Sequence, residues 1–89
     1  MTDTEIFAHL AAVMQQTFPG RIDPVEVGPT TRFFGDLGLA SIDAVVLAEA
    51  IERSVGRKLP FARFLAELRD RGATDLELGE LVAFLRDHL

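Results

Sequence analysis

Ser41-Ile42-Asp43-Ala44-Val45-Val46-Leu47-Ala48-Glu49-Ala50-Ile51-Glu52-Arg53-Ser54-Val55, closed by Gly56, decides the fold. The stretch holds no proline or glycine. Ser41 is a good N-cap candidate, Asp43 and Glu49 lie toward the front, Arg53 lies near the end and Gly56 supplies the stop. A helix is therefore predicted over 41–55. Ala44, Leu47, Ala48, Ile51 and Val55 fall at i, i+3, i+4, i+7 and i+11, the stripe of a helix half-buried against a core. Ile42, Val45 and Val46 are apolar as well but lie on a different side, and only Asp43, Glu49, Glu52 and Arg53 give polar cover. Two arrangements explain so apolar a helix. Either a neighbouring loop buries it on most sides, or its N-terminal end presents an apolar patch to another protein.

Working toward the N-terminus, residues 19–40 contain Pro19, Gly20, Pro24, Gly28, Pro29, Gly35 and Gly38, too many breakers for a regular element. A loop of about 20 residues is uncommon in a small domain unless it is functional or pinned by its own side chains. Val25, Val27, Phe33, Phe34, Leu37 and Leu39 are the predicted pins. Ahead of the loop, Ile6, Leu10, Val13, Met14 and Phe18 recur at helical spacing behind a Thr2/Glu5 capping box, giving a first helix over about 3–18. On the other side, Pro60 precedes Phe61, Phe64, Leu65 and Leu68, a shorter third helix over about 61–70 that Gly72 ends. Thr74 and Glu77 repeat the capping-box spacing ahead of a fourth helix with Leu78, Leu81, Val82, Leu85 and Leu89 on one face. No alternating strand pattern appears. The expected architecture is an all-α bundle of four helices, with a long loop between the first two and a short third helix, forming one free-standing domain over 1–89.

Composition narrows the function. Fourteen acidic against nine basic side chains give a formal net charge of −5, which opposes binding to a phosphate backbone, so no nucleic-acid partner is expected. With no cysteine there is no thiolate nucleophile, disulfide or Cys-based metal site. The acidic start Thr2-Asp3-Thr4-Glu5 is unlike a signal peptide, and no apolar run approaches the roughly 20 residues of a membrane span. The expectation is a cytoplasmic monomer that does not engage a membrane.

Immediately before and into the second helix stands Phe34-Gly35-Asp36-Leu37-Gly38-Leu39-Ala40-Ser41-Ile42-Asp43-Ala44. It resembles the attachment signature of acyl and peptidyl carrier proteins, roughly F-x-x-L-G-L-D-S-L at the opening of the second helix. The order of elements and the chain length resemble that family too. The resemblance implies that a phosphopantetheinyl transferase moves 4′-phosphopantetheine from coenzyme A onto the Ser41 hydroxyl. The arm's thiol then carries acyl or aminoacyl groups as thioesters between loading and downstream enzymes. The residues are compatible with that role. A helix N-terminus offers unpaired N–H groups and partial positive charge to a phosphodiester, Gly35 and Gly38 let the incoming backbone turn, and Leu37 and Leu39 anchor the turn. The bland alternative is that Ser41 simply caps the helix.

Departures from the pattern bear on partners. Ala40 replaces the acid that usually precedes the serine, removing a contact for the transferase. Val46 and Arg53 stand where carriers of fatty-acid synthesis have acidic residues. The docking face implied by the resemblance comprises Ala40, Ile42, Asp43, Val45, Val46, Glu49 and Arg53. Residues 1–52 hold 8 acidic and 2 basic side chains, residues 53–71 hold 2 and 6, and residues 72–89 hold 4 and 1. A basic middle segment would meet basic docking patches with partial repulsion and so direct the chain to a dedicated pathway, unless Arg57, Lys58, Arg63, Arg69 and Arg71 form a solvated face paired with Glu67 and Asp70. Phe34, Leu47, Ile51 and Phe64, with Phe33, form either an acyl pocket between the second and third helices or ordinary core.

Catalysis by the chain itself is not expected. His9 and His88 lie near opposite ends, Leu39-Ala40-Ser41-Ile42-Asp43 lacks the G-x-S-x-G elbow of hydrolases, and neither histidine has metal-ligand spacing around it. No catalytic residue and no metal are predicted. The competing function is an unmodified helical interaction domain that docks partners through the second helix.

Overall fold

The computed structural model describes residues 2–23 and 26–89. Its helices are α1, Asp3–Thr17; α2, Ser41–Val55; α3, Phe61–Asp70; and α4, Leu78–His88. α1 starts as its sequence requires. Thr2 Oγ1 accepts from the Glu5 N–H at 3.2 Å while Glu5 Oε1 accepts from the Thr2 N–H at 2.9 Å, a complete capping box. These hydrogen bonds hold the Glu5 carboxyl below its ordinary value. α1 lies against both α2 and α4, burying Ile6, Leu10, Val13 and Met14. α2 ends at Gly56, whose left-handed φ of 76° would cost an L-side chain.

The core is one contiguous apolar cluster that takes side chains from every helix and from the long loop. Phe33, in that loop, is completely buried, packed edge-on against Phe18 and Phe34. Leu39 is buried, and Val27, Phe34 and Leu37 are half-buried, so these pins act as predicted. Val25 lies outside the described residues. Ile22, absent from the predicted set, is a further buried pin. In α2 the stripe is narrower than its spacing implied: Leu47 and Ile51 are buried, Ala44, Ala48 and Val55 are half-buried, and Ala50 joins the buried set. Leu89 is largely exposed and adds little to the face of α4.

α4 corrects one expectation. Its cap is Glu77, not Thr74, and the carboxylate three positions on is Glu80, 3.4 Å from the Glu77 N–H. The helix starts late because the loop has taken its first donors: the Leu78 N–H bonds to the Thr31 carbonyl at 3.0 Å and the Gly79 N–H to the Pro29 carbonyl at 2.7 Å. A Cβ on Gly79 would stand 2.9 Å from that Pro29 oxygen, so only glycine permits the approach. Arg32 and Glu77 form an isolated antiparallel bridge, with the Phe33 N–H donating to the Leu76 carbonyl at 2.8 Å. Thus the long loop is tied to the entry of α4 before it reaches α2.

Candidate functional site

Ser41 is the first helical residue of α2 and is exposed. Predicted as the cap, it stands one position inside it. The cap is Ala40, in extended backbone, whose N–H is held by Asp43 Oδ2 at 2.8 Å. Ala40 has no side-chain acceptor to return, so this is half a capping box, supplied by the third residue of the helix. Because Asp43 does the local capping, the Ser41 hydroxyl is not committed to it. Among the described residues that hydroxyl has no hydrogen-bond partner, and the Ser41 and Ile42 N–H groups, in the first turn, have no intrahelical acceptor. An anion joined to Ser41 Oγ would meet free donors and the positive end of α2. The residues present therefore fit a phosphodiester.

The approach to Ser41 is a set of turns, each with its own partner. The Asp36 and Leu37 N–H groups bond to the Arg32 carbonyl at 3.1 and 3.2 Å, and the Gly38 N–H bonds to the Phe34 carbonyl at 3.0 Å. Gly38 takes φ of 66°, turning the chain so that Leu39 enters the core and Ala40 and Ser41 stay outside. Asp36 Oδ2 accepts from the Arg32 N–H at 2.8 Å and Oδ1 pairs with its guanidinium at 3.2 Å, which lowers the Asp36 carboxyl and raises Arg32. Asp75, from the segment before α4, accepts from the N–H groups of Phe34, Gly35 and Leu76 at 3.0, 2.9 and 2.8 Å. Burial alone would raise the Asp75 carboxyl, but these three bonds, aided by the Arg32 charge, hold it below its ordinary value. The sequence reading did not single out Asp75, Arg32 or Asp36. For Asp75 the cue would have been a carboxylate before a helix not required for its cap, but two of its three partners, Phe34 and Gly35, lie 41 and 40 residues away and leave no local pattern.

A carboxylate 41 residues from Phe34 thus holds the turn that leads to Ser41, whose hydroxyl has no hydrogen-bond partner among the described residues. A family profile described as phosphopantetheine attachment site matches residues 10–74. The chain belongs to the carrier-protein family that bears this attachment site. Acyl carrier protein 2 of Ralstonia nicotianae is 41% identical to it over 59 residues, spanning 66% of this chain and 70% of that protein. The cofactor of this carrier is a covalently attached 4′-phosphopantetheine.

The remaining sequence-derived residues of the carrier separate into two groups. On α2, Ile42, Val45 and Val46 are 66%, 47% and 39% exposed, which decides between the two arrangements in favour of an outward apolar patch. Ala40, Glu49 and Arg53 are exposed beside it, and Asp43 is half-buried under its bond to Ala40. Leu47, Ile51 and Phe64 meet Phe33 and Phe61 around a void of only about 20 Å³ between α2 and α3. Phe34 is not among its walls; it is turned edge-on against Phe33 at 5.0 Å instead. Of the basic residues, Arg71 pairs with Glu80 at 2.8 Å instead of with Glu67 or Asp70, and Arg57 donates to the His88 carbonyl. Arg53, Arg57 and Lys58 share an open groove with Glu49 and Glu52 at the end of α2. His9 Nε2 lies 2.8 Å from Ser54 Oγ, and His88 Nδ1 donates to the Phe84 carbonyl at 2.8 Å.

Proposed function

We propose that this carrier holds acyl or aminoacyl groups as thioesters on a 4′-phosphopantetheine arm attached to Ser41, and delivers them to the enzymes of a specialised biosynthetic pathway. The observation that carries the site assignment is the exposed Ser41 hydroxyl at the first position of α2, without a hydrogen-bond partner among the described residues and within the stretch that the family profile matches. In the modification, Ser41 Oγ bonds to the phosphorus of coenzyme A's pantetheine phosphate and the pyrophosphate bond breaks, releasing adenosine 3′,5′-bisphosphate. The serine proton leaves to a base of the partner transferase. The chain's own contribution is to hold the hydroxyl outward and to meet the phosphodiester with the α2 N-terminus. Once attached, the arm supplies the thiol that a chain without cysteine lacks.

The partners in this reading are a phosphopantetheinyl transferase with coenzyme A, then loading and downstream enzymes, all docking through Ala40, Ile42, Asp43, Val45, Val46, Glu49 and Arg53. The pathway is one of polyketide, nonribosomal peptide or fatty-acid-like synthesis with dedicated enzymes. What favours dedicated partners is the apolar, mixed-charge face of α2, with Val46 outward and Arg53 exposed at its end. The carrier acts as a cytoplasmic monomer and leaves catalysis to its partners; no helix among the described residues is long and apolar enough to cross a membrane.

Intact-protein mass spectrometry after incubation with coenzyme A, magnesium and a broad-specificity transferase tests the assignment, with Ser41→Ala in parallel. The wild type should gain the mass of one phosphopantetheine and the variant none. A folded wild type left unmodified by several transferases would instead favour an unmodified interaction domain docking through Ile42, Val45 and Val46.

A further inference from the structure

We propose that Asp75 is a positioning residue for the modification of Ser41, acting through the loop it clasps and not through contact with the reacting groups. The proposal rests on the Ser41 assignment above. Asp75 Oδ1 holds the Phe34 and Leu76 N–H groups, and Oδ2 holds that of Gly35. One carboxylate therefore joins the entry of α4 to the turn that leads into the attachment motif. The fit is close, since a Cβ on Gly35 would stand 2.8 Å from Oδ2. From Gly35 the backbone runs through the left-handed Gly38 and the buried Leu39 directly to Ala40 and Ser41. Between the clasp and the hydroxyl the chain is also tied by the Asp36 and Leu37 bonds to the Arg32 carbonyl, the Arg32–Asp36 pair, the Phe34–Gly38 turn bond, the Leu39 anchor and the Asp43 bond to Ala40, but none of these holds the Gly35 N–H. Val45, Val46, Glu49 and Arg53 of the docking face lie further along the outward side of α2, so loosening the clasp alters where Ser41 Oγ sits in a docked complex while leaving most of the surface that docks in place. Transfer to phosphorus is sensitive to such placement, because a shift of about 1 Å can cost up to about a hundredfold in rate.

The discriminating variant is Asp75→Asn. With its amide oxygen in place of Oδ1, asparagine keeps the Phe34 and Leu76 bonds, but its NH2 group then faces the Gly35 N–H and that bond is lost. Steady-state transfer from coenzyme A onto wild type and variant should show kcat for the carrier lowered about tenfold, with KM within about twofold. Amide exchange at Gly35 to Gly38 should rise while that of α1 is unchanged. Arg86→Gln, which removes the exposed pair of Arg86 with Asp3 at 3.0 Å, is the control for general destabilisation and should leave both constants unchanged. An Asp75→Asn protein that is folded and modified at the wild-type kcat overturns the proposal, as does a change confined to KM. Should Asp75→Asn fail to fold, Gly35→Ala displaces the carboxylate with Asp75 retained and should give the same loss of kcat; failure of both to fold would make Asp75 a folding residue and overturn the inference. Absence of modification in wild type itself would instead refute the Ser41 assignment, which keeps the two failures apart.

Discussion

Ala40 shows what a cap loses when its side chain is a single methyl group. It occupies an N-cap with the extended backbone of that position and no side-chain acceptor, and the Asp43 carboxylate reaching back satisfies only the Ala40 N–H. Aspartate is among the best N-cap residues, and exchanging alanine for it is worth roughly 0.5–2 kcal/mol where the cap geometry is already present. Ala40→Asp should therefore stabilise the carrier by about 1 kcal/mol, a rise in Tm of about 4–8 °C for a domain of this size. The nearby Asp43 charge places the gain toward the lower end. The same substitution restores the acid that the attachment motif usually carries before its serine, so modification should also proceed with more transferases. Urea unfolding and intact mass measured on the same preparation check both effects. A stability gain with no broadening of transferase use would separate the capping role of the acid from its recognition role.

At the scale of elements, α2 has one side committed to the core and another turned outward, and neighbouring positions should respond in opposite ways. Val46→Glu, at an outward position, should change stability by no more than about 0.5 kcal/mol, whereas Leu47→Ala, at the adjacent buried position, should cost about 2–5 kcal/mol. Denaturant midpoints of the two variants test the assignment of faces, and equal losses would refute it. Much of this was legible in the sequence: the limits of α2 and α3 follow from Ser41, Gly56, Pro60 and the apolar spacing of Phe61 to Leu68, because those signals are local. The outward patch was legible only as an alternative, since periodicity counts apolar sides without saying what covers them. The start of α4 was misread for a physical reason. Thr74 and Glu77 have the spacing of a capping box, but the Thr31 and Pro29 carbonyls satisfy the helix's first donors, and those partners are distant in sequence. Asp75 escaped notice for the same reason, and with it the clasp that organises the approach to Ser41.

For the whole molecule, the question is whether cargo on the arm travels inside the bundle or outside it. Between α2 and α3 the space is occupied by Phe33, Phe61 and Phe64, and behind them Phe84 lies against Phe61, Phe64 and His88 with ring centroids 4.9, 4.6 and 4.6 Å apart. The void that remains, about 20 Å³, is on the scale of a single water and takes no methylene chain without displacing these rings. Interiors packed this closely resist such displacement, because each ring that moves forfeits contacts on several sides. A saturated acyl group loaded on the arm should therefore stay outside, leaving the methyl resonances of Leu47 and Ile51 and the ring resonances of Phe64 where they are in the unacylated carrier. Phe64→Ala enlarges the void at a half-buried ring and should admit the chain, so that acylation then shifts Leu47 and Ile51 and slows attack of hydroxylamine on the thioester. Shifts at those residues in the acylated wild type would mean that the rings open on loading and that the bundle itself takes part in selecting cargo.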